Sequence, residues 1–355
     1  MKFLLICGAS LDSGCWLKTQ YLGKSLQKEG HIVEYIKPVH SKPFMFEYAL
    51  SLCKYTFLSF FKRPDVVVGI KAYPNVTFPM FFQKFRGAYT VLDLDDLDYA
   101  YRDGLISLVS KAVQTPFPRF FDMVSYHNDN LRKHAIRDFK VKENRLYFLN
   151  QGVDFDVFNT DLAFDKAEII KKYSLGGYKL IVYTAHLNVA SDLDAILEAF
   201  SIVVKKRKNV KLIIVGGGQM LGDFKVIAKK LGITDQVVFT GYMDKTEVAK
   251  FIKLADICVV YYKARKANYF RTSMKIRENL AMGKRVVCND VGDLYTFKSY
   301  TYQTGTSIPE FAEGIIDALA SRSNNKNEQA IKFIQDKYSW EKIGRDFSFK
   351  LKELM

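Results

Sequence analysis

The chain has 355 residues, a length that suits two domains better than one hydrophobic core. Hydrophobic residues make up 48% and charged residues 26% of it, a composition that excludes an intrinsically disordered protein. The net charge of +15 is compatible with nucleic acid, an anionic membrane surface or an anionic substrate as partner, and does not choose among them.

The five cysteines are scattered along the chain without a CxxC pair. Cys7, Cys258 and Cys288 each end or interrupt an apolar run, so we expect reduced thiols in the core of a cytosolic protein. The first residues enter an apolar strand at once, without the basic segment and cleavage site of a secretory leader.

Short apolar runs alternate with amphipathic segments along the whole chain. In the first half, a helix that Gly30 closes is predicted at 19–31, and strands are predicted at 2–7, 32–36, 64–70, 88–94, 121–127 and 145–150. In the second half, the predicted strands are 178–185, 210–218, 236–242, 256–262 and 284–290, and the main helices are 192–207, 245–255 and 273–283. This rhythm predicts two doubly wound parallel sheets, that is, two Rossmann-like α/β domains.

The polar segment 155–177, which ends in two glycines, is the expected boundary between the domains. Ligands of open α/β sheets bind at the carboxyl ends of the strands. Two such sheets facing each other therefore predict a ligand cleft.

Two glycine-rich loops follow predicted strands. "GASLDSGC" lies between the first strand and a helix, where the amides of Ser13 and Gly14 can face an anion. "VGGGQ" (215–219) has the same position in the second half. An ordinary structural turn explains each loop equally well.

Four segments, in order along the chain, resemble the motifs of one enzyme family. They are "NQGVDFDVF" (150–158), "VKLIIVGGGQ" with "VVFTGYMDKTEVAKFIKLADICVVYY", "KIRENLAMGKRVV" (275–287) and "YSWEKIGRDF" near the end. The series is similar to that of the retaining, nucleotide-sugar-dependent glycosyltransferases of family four. The resemblance implies an α/β GT-B fold with an acceptor-binding domain at 1–158, a donor-binding domain at 159–338, and a last helix at about 339–355 that packs back on the first domain.

The resemblance assigns the nucleotide to residues around Glu278, which is expected to accept hydrogen bonds from the two ribose hydroxyls of the donor. The helix N-terminus, the amides of Thr272 and Ser273, and the side chains of Arg271 and Lys275 are expected at the diphosphate. An exposed helix with an ordinary mixture of charges is the alternative.

The base and the sugar are expected beside the ribose. In the turn "TGY" (240–242), Gly241 allows close approach of a flat base, and backbone groups of Tyr242 and Met243 can read its edge. An ordinary turn at a strand end competes with this interpretation. Phe270 stands where many members of the family have a Glu that holds the transferred sugar, so the sugar stays unidentified.

A further departure from the family pattern concerns the phosphate clamp. His186 and Ser191 stand where the family has the Arg and Lys that grip the diphosphate. Arg265, Lys266 and Arg271 are the candidates to supply the missing charge. His186 is as compatible with a structural role as with donor binding.

"VLDLDDLDYAYR" (91–102) ends a predicted strand in four carboxylates, those of Asp93, Asp95, Asp96 and Asp98. Carboxylates at this edge of a sheet can bind sugar hydroxyls or accept a proton, so Asp95 and Asp96 are the catalytic candidates. Asp95 falls where many relatives carry a His that faces the acceptor. A solvated loop is the second interpretation and a divalent metal the third; the resemblance implies an enzyme that needs no metal and no cofactor.

The resemblance also implies transfer from a UDP- or GDP-linked sugar with retention of configuration. In a front-face mechanism the leaving phosphate takes the acceptor proton. The protein then has to orient donor and acceptor and to stabilise the charge that develops on the diphosphate.

The segment 43–63 is dense in aromatic residues and is either a buried helix or a helix that lies on an anionic membrane surface. The basic residues that would meet the headgroups are Lys42, Lys54, Lys62 and Arg63. The segment 74–86 has the same character. Because both lie in the acceptor-binding half, we expect a glycan acceptor on a lipid carrier, such as a polyprenyl phosphate, at the cytoplasmic face of the plasma membrane.

Three other classes of protein compete with the transferase. A nucleic-acid-binding protein is disfavoured because the basic residues are spread over both halves and no helix-turn-helix, zinc or RNP motif is present. A nucleotide-sugar epimerase of the same fold and a catalytically silent scaffold both stay open, the latter because the phosphate clamp is altered.

Overall fold

The computed structural model of the protein describes residues 1–9, 11, 13–38, 45–101, 104–321 and 325–355. Lys42 and the side chain of Asp98 lie outside this description. The chain forms two units. Unit 1 consists of Met1–Gly152, Phe270–Thr272 and Trp340–Met355, and unit 2 consists of Val153–Tyr269 and Ser273–Ser339.

Within the described residues, unit 1 contains a six-stranded sheet with the order β2-β1-β3-β4-β5-β6. Its strands are β1 (Lys2–Cys7), β2 (Ile32–Ile36), β3 (Val66–Ile70), β4 (Tyr89–Asp93), β5 (Met123–Tyr126) and β6 (Leu146–Phe148). The helices between them are α1 (Gly14–Lys28), α2 (Met45–Phe60), α3 (Pro74–Phe85), α4 (Gly104–Gln114) and α5 (Asp129–Arg137). The strand pairs are parallel, with Phe3 opposite Val66 in the centre. β3 is buried along its whole length, which explains its unbroken apolar sequence.

Unit 2, as far as it is described, contains a second six-stranded sheet with the order β12-β11-β10-β7-β8-β9. Its strands are β7 (Lys179–Thr184), β8 (Val210–Val215), β9 (Val237–Gly241), β10 (Ile257–Val260), β11 (Val286–Asn289) and β12 (Tyr302–Thr304). Its helices are α6 (Lys166–Lys172), α7 (Leu193–Lys206), α8 (Leu221–Lys230), α9 (Lys245–Leu254), α10 (Met274–Ala281), α11 (Ile308–Ala320) and α12 (Asn325–Tyr338). These strands also pair in parallel, and one apolar cluster covers each face of the sheet.

The last helix, α13 (Trp340–Leu354), belongs to unit 1, where it packs on α1. Its buried residues Trp340, Ile343, Phe347 and Leu351 recur at the spacing of one helical face and join an apolar cluster with β1 and β3. The Trp340 ring stacks on Tyr21 with centroids 5.6 Å apart. The core of unit 1 is therefore completed by a segment that follows unit 2 in the sequence.

The predicted fold class, two doubly wound parallel sheets, is confirmed. Several elements were not predicted or differ from the prediction, among them α1 and β12. α1 begins earlier than predicted, because the Ser13 side chain caps it by accepting from the amide of Trp16 (3.2 Å). β12 was not predicted, because it is a half-buried three-residue strand without an apolar run.

All five cysteines are free, and Cys7, Cys258 and Cys288 are buried as expected of core thiols. Burial raises the pKa of Cys258 and of Cys288 to about 12. Among the described residues, no helix combines the length and the apolarity that a membrane crossing requires.

Candidate functional site

In unit 2 the strand order reverses between β7 and β10. The chain runs from β7 to β8 and β9 on one side and then places β10 on the other side of β7. In open α/β sheets, ligands bind at the carboxyl ends of the strands that flank such a reversal. His186 follows β7 and is exposed at this edge, and the loop after β10 leads into α10, which carries Glu278.

The start of α10 is fixed by a buried ion pair. The Arg277 guanidinium donates to the Asp293 carboxylate (2.9 Å) and to the Ser273 carbonyl (2.7 Å). The Ser273 amide donates to both Asp293 oxygens at 3.1 Å, and its hydroxyl caps the helix. The Ser273 amide, which was predicted to contact a diphosphate, donates to Asp293 in this structure.

Glu278 is half-buried on α10, within a cluster of opposite charges. Burial raises the pKa of Glu278 above its usual value, and the charges of Lys245 and Lys275 oppose that rise. Burial lowers the pKa of Lys245, while Glu278 and Asp154 favour its charged form. The Lys245 ammonium lies 5.8 Å from the centre of the Phe158 ring. An ionised Glu278 in these surroundings can accept hydrogen bonds from a pair of hydroxyls.

Lys275 extends from α10 to the last residues of β7. Its ammonium donates to the Tyr183 hydroxyl (3.3 Å) and lies 4.6 Å from the centre of the Tyr183 ring. The Tyr183 hydroxyl donates to the carbonyl of Ser191. Lys275 thus brings positive charge to the strand end at which His186 and Ser191 replace the basic pair of the family pattern.

The side chain of Arg265 pairs with Asp192 at the start of α7. Its guanidinium donates to the carboxylate of Asp192 (2.7 Å), which also accepts from the Asn268 amide group (2.8 Å). Asp192 is buried and adopts a left-handed conformation, with φ 52°, at the start of α7. The pair holds this turn, so Arg265 is a structural side chain, whereas Lys266 is exposed.

The glycine loops of unit 2 differ in their roles. A Cβ on Gly216, whose φ is 145°, would lie 1.8 Å from the carbonyl oxygen of Ala185, so this glycine allows two backbone segments to touch. Gly241 has φ 77°, but a Cβ there would meet nothing within 4 Å. The neighbouring Tyr242 is 85% exposed. The turn at Gly241 and Tyr242 is therefore open on the side where a base was predicted.

In unit 1 a buried charge network lies at the carboxyl ends of β3 and β4. Lys18 pairs with Asp93 (2.5 Å) and with Asp95 (3.6 Å). Asp95 also accepts from the thiol of Cys15 (2.8 Å) and lies 4.0 Å from the Lys71 ammonium. Although burial opposes ionisation, Lys18 and Lys71 hold the pKa of Asp95 below its usual value. As a base Asp95 is therefore weak, and the predicted role that suits it is binding of the acceptor.

Two residues of this charge network have strained backbone conformations. Lys71 and Asp95 adopt left-handed conformations, with φ 71° and 43°. Non-glycine residues in this region cost about 1–3 kcal/mol each and cluster at functional sites. Asp96 follows and is half-buried. The described residues contain no group of three or more His, Cys, Asp or Glu side chains placed to hold a metal.

The remaining predicted residues also lie in unit 1. Gly14 is the exposed first residue of α1. Arg271 and Thr272 are half-buried in the segment that belongs to unit 1, where the Arg271 carbonyl accepts from Asn128 (3.3 Å). Of the predicted site residues, unit 2 contains His186, Gly241, Tyr242, Ser273, Lys275 and Glu278, and unit 1 contains Gly14, Asp95, Asp96, Arg271 and Thr272.

Sequence reasoning missed several side chains that shape these sites. Lys245 follows the turn at 240–242 directly, and its position at the first residue of α9 was a usable signal. Lys18 is buried on α1 with Leu22 and Ser25 of the same helical face, so a lysine on an otherwise buried stripe was the clue. Asp293 carried no signal, because its pairing with Arg277 depends on the turn after β11.

A protein-family model matches residues 165–339, and it describes "Glycosyl transferases group 1". Among curated proteins, the chain is 28% identical over 183 residues to the GDP-mannose-dependent alpha-(1-6)-phosphatidylinositol monomannoside mannosyltransferase of Mycobacterium tuberculosis, a segment that covers 50% of the chain and 47% of that protein. The chain spans about half the length of the curated relatives it matches.

Two solved structures match nearly the whole chain. Sucrose-phosphate synthase from Thermosynechococcus elongatus superposes with a TM-score of 0.81 at 12% identity, over 100% of this chain and 99% of that one. The Anabaena protein HepE, solved in complex with UDP, gives a TM-score of 0.76 at 12% identity, over 99% and 100%. At this identity the likeness shows the fold alone. Residues 165–339 therefore match the model of the group 1 glycosyl transferases, in agreement with the predicted resemblance to family four, and the chain as a whole has the GT-B fold.

Proposed function

We propose that the protein is a retaining glycosyltransferase that moves a sugar from a UDP- or GDP-linked donor to a glycan acceptor on a lipid carrier or a cell-surface glycan precursor. The observation that carries the proposal is the half-buried Glu278 between Lys245 and Lys275, at the strand-order reversal of a group 1 glycosyl transferase domain. A lone buried carboxylate is costly unless it is paired or accepts hydrogen bonds. The two ribose hydroxyls of a donor satisfy that requirement.

The two lysines of this cluster are also suited to stabilise the diphosphate, which is the leaving group of the transfer. Lys275 lies at the β7 end with its ammonium directed to Tyr183, and Lys245 begins α9 behind the open turn at Gly241. Two ammonium groups stabilise the charge that develops on a diphosphate when the bond to the sugar breaks. In a front-face transfer the diphosphate takes the proton of the acceptor hydroxyl, so a weak base such as Asp95 does not hinder the reaction.

Calorimetric titration with UDP and with GDP tests the donor site. We expect one of the two to bind, and Glu278→Ala to weaken it by about 1.5–3 kcal/mol, the value of hydrogen bonds to a charged group. Glu313→Ala is the matched control, because Glu313 pairs with Lys206 on an exposed surface of the same unit. An unchanged dissociation constant in Glu278→Ala refutes the assignment of the ribose site.

Donor turnover separates the transferase from its rivals. A competent transferase releases some free sugar from its donor in water, and the sugar first appears as the anomer present in the donor, which NMR spectroscopy detects. Release of the opposite anomer contradicts retention. Binding without any release supports the silent scaffold, and conversion of the sugar to its epimer supports the epimerase.

The lipid-linked acceptor rests on an exposed aromatic surface of unit 1. We call this surface the aromatic face and define it by Phe57, Phe60, Phe61, Phe78 and Phe85, which are between 48% and 90% exposed. Arg86 lies over the rings of Phe60 and Phe82, at 5.7 and 5.1 Å. Such a face with basic flanks binds anionic bilayers through apolar burial and charge together. The M. tuberculosis relative is itself named for a phosphatidylinositol acceptor.

Flotation with phosphatidylglycerol vesicles tests this location at the cytoplasmic membrane face. Binding should require anionic lipid, weaken at high salt, and fall sharply when Phe57, Phe60 and Phe61 are changed to Ser. A triple change of exposed unit 2 residues, Val189, Val226 and Tyr295, to Ser serves as control. If the wild type ignores these vesicles at low salt, a soluble acceptor becomes the better proposal.

A further inference from the structure

Helix α4 presents its apolar side to solvent. Leu105, Leu108 and Val109 follow the i, i+3, i+4 spacing of one helical face, and they are 75%, 65% and 54% exposed. An amphipathic helix of a soluble domain normally turns such a stripe to the core. An exposed apolar stripe of this kind marks a binding surface.

A groove runs beside the stripe. It has a volume of about 410 Å³, and its apolar floor is formed by Leu108, Ala112, Pro116 and Phe139. Lys111 and Arg119 stand at its rim together with Asp138. The Asp138 carboxylate is already paired with Arg137 and His134, at 2.8 Å each, so the rim offers an incoming group mainly positive charge.

Helix α4 itself contributes only positive charge to the groove. The sequence of α4, "GLISLVSKAVQ", contains no acidic residue. The Arg119 guanidinium packs over the Phe120 ring at 5.0 Å, and Phe120 is 48% exposed. A cation on an exposed aromatic ring beside an apolar groove suits a ligand with a negative head and a hydrocarbon tail.

The groove is continuous with the aromatic face. Phe120 and Phe117 each lie about 6 Å from Phe81 on α3, and Phe117 is also 6.0 Å from Phe78 of the aromatic face. One row of rings therefore joins α4 and the turn after it to α3. An extended apolar surface of this kind suits a bilayer better than a compact soluble ligand.

We propose that the α4 groove binds a single anionic phospholipid, with an acyl chain along Leu108, Ala112, Pro116 and Phe139 and the phosphate between Lys111 and Arg119. The site rests on the proposed membrane location and deepens it, since it adds a lipid-specific contact to the less specific aromatic face. Hydrocarbon burial over the groove and the attraction of two cations act on the same molecule.

A tryptophan in the groove reports the acyl chain directly. In Leu108→Trp, vesicles of phosphatidylglycerol should shift the fluorescence to shorter wavelength, and the same lipid with brominated acyl chains should quench it. Val226→Trp is the matched control, because Val226 is 52% exposed on α8 of unit 2 and should respond to neither lipid. The native Trp16 and Trp340 are buried, and the wild-type signal is subtracted.

The charge contribution is measured with Lys111→Glu/Arg119→Glu. This variant should bind dihexanoyl phosphatidylglycerol, present as single molecules below its micelle concentration, on the order of tenfold or more weakly than the wild type. Phosphatidylcholine of the same chain length should bind weakly to both proteins. Equal binding of the two headgroups overturns the proposed phosphate contact.

Three results contradict the site in different ways. If vesicles bind but Leu108→Trp is not quenched, the groove does not hold lipid, although the membrane location stands. If vesicles do not bind at all, both proposals about the membrane fail, while binding of UDP or GDP still decides the donor site. If sedimentation shows a dimer that Leu108→Ser abolishes, a second copy of the chain, and not a lipid, covers α4.

Discussion

Glu278 and Lys18 illustrate two ways in which this chain keeps a charge away from water. Within the part of the chain that the structure describes, Glu278 makes no ion pair within 4 Å, and its pKa is raised by burial while Lys245 and Lys275 oppose the rise. Lys18 is fully enclosed with Asp93 and Asp95, and these carboxylates raise its pKa against the effect of burial. The ionised Glu278 therefore destabilises the folded protein, and its carboxylate can accept hydrogen bonds from a ligand. The charge of Lys18 is balanced inside the protein by Asp93 and Asp95.

The raised pKa of Glu278 makes stability depend on pH. Between the usual carboxyl pKa and the raised value, the folded protein binds more protons than the unfolded chain, so the free energy of unfolding falls as pH rises through this window. Glu278→Gln should remove that fall. Urea unfolding of both proteins at a series of pH values measures the difference, and parallel pH profiles would falsify the expectation.

Nucleotide binding should show the opposite trend with pH. The ionised carboxylate is the better acceptor of ribose hydroxyls, so affinity in the wild type should rise as Glu278 loses its proton. In Glu278→Gln the affinity should be lower, and it should keep only the pH dependence that comes from the diphosphate, whose last proton dissociates at about pH 6. Titration calorimetry between about pH 4 and 7 covers the usual carboxyl range and the region above it.

Removal of Lys18 should destabilise unit 1 strongly. Lys18→Met leaves Asp93 buried without its cation and Asp95 with Lys71 alone, which costs about 3–5 kcal/mol. Asp93→Asn added to Lys18→Met should restore part of the loss. The lowered pKa of Asp95 means that its stabilising contribution is present above the usual carboxyl pKa and is lost as pH falls further. A single mutant as stable as the wild type in urea would contradict the paired network.

At the scale of elements, α10 is held by side chains that never reach a ligand. The Arg277 guanidinium lies 5.3 and 4.8 Å from the centres of the Phe297 and Tyr338 rings, and its partner Asp293 lies in the helical turn Gly292–Phe297. This arrangement sets the direction of the helix that carries Glu278. Lys275 and Glu278 therefore depend on contacts made behind them.

Arg277→Met should cost about 3–5 kcal/mol of stability, because Asp293 stays buried without its partner. It should also weaken nucleotide binding, although Arg277 lies behind the site. Arg277→Met/Asp293→Asn is expected to recover stability more than binding, which separates the orientation of α10 from simple unfolding. Equal recovery of both quantities would show that Arg277 acts on stability alone.

The β8–α8 loop gives a second prediction at this scale. Gly216→Ala places a Cβ against the Ala185 carbonyl and should cost more than about 2 kcal/mol. Gly222→Ala is the control, because nothing lies within 4 Å of a Cβ there and α8 is helical. It should be neutral or stabilising by up to about 1 kcal/mol. Thermal unfolding of the two variants provides the comparison.

The elements themselves were largely predictable from sequence. The buried parallel strand β3 is an unbroken apolar run in the sequence. Glu278 was identified through the resemblance of residues 275–287 to a family motif, because the local pattern alone also fits an exposed helix. The Asp293 partner of Arg277 and the Lys18 network were not predictable, because they join segments that are distant in sequence and depend on how helices rest on the sheet. The exposed stripe of α4 was missed for a different reason. An amphipathic pattern shows that a helix has an apolar side but not what that side faces.

For the whole molecule, the division into two units predicts two unfolding events. Phe347 is fully buried in the cluster that α13 completes in unit 1. Phe347→Ala should therefore cost about 3–5 kcal/mol in unit 1. UDP or GDP should raise the melting temperature of the transition that Phe347→Ala leaves unchanged, because the proposed donor site lies in unit 2. Calorimetric scans with and without nucleotide distinguish the two transitions, and a single shifted transition would contradict independent units.

The position of α13 also has a consequence for synthesis on the ribosome. Trp340, Ile343, Phe347 and Leu351 emerge only after every strand of unit 2 has been made, yet they cover β1 and β3, which emerge first. Unit 2 can close its core as it emerges, while unit 1 must wait with an uncovered apolar surface. The part of the protein that is translated first is therefore the last to finish folding. Nascent chains arrested before α13 should remain open to protease in unit 1 after unit 2 has become resistant.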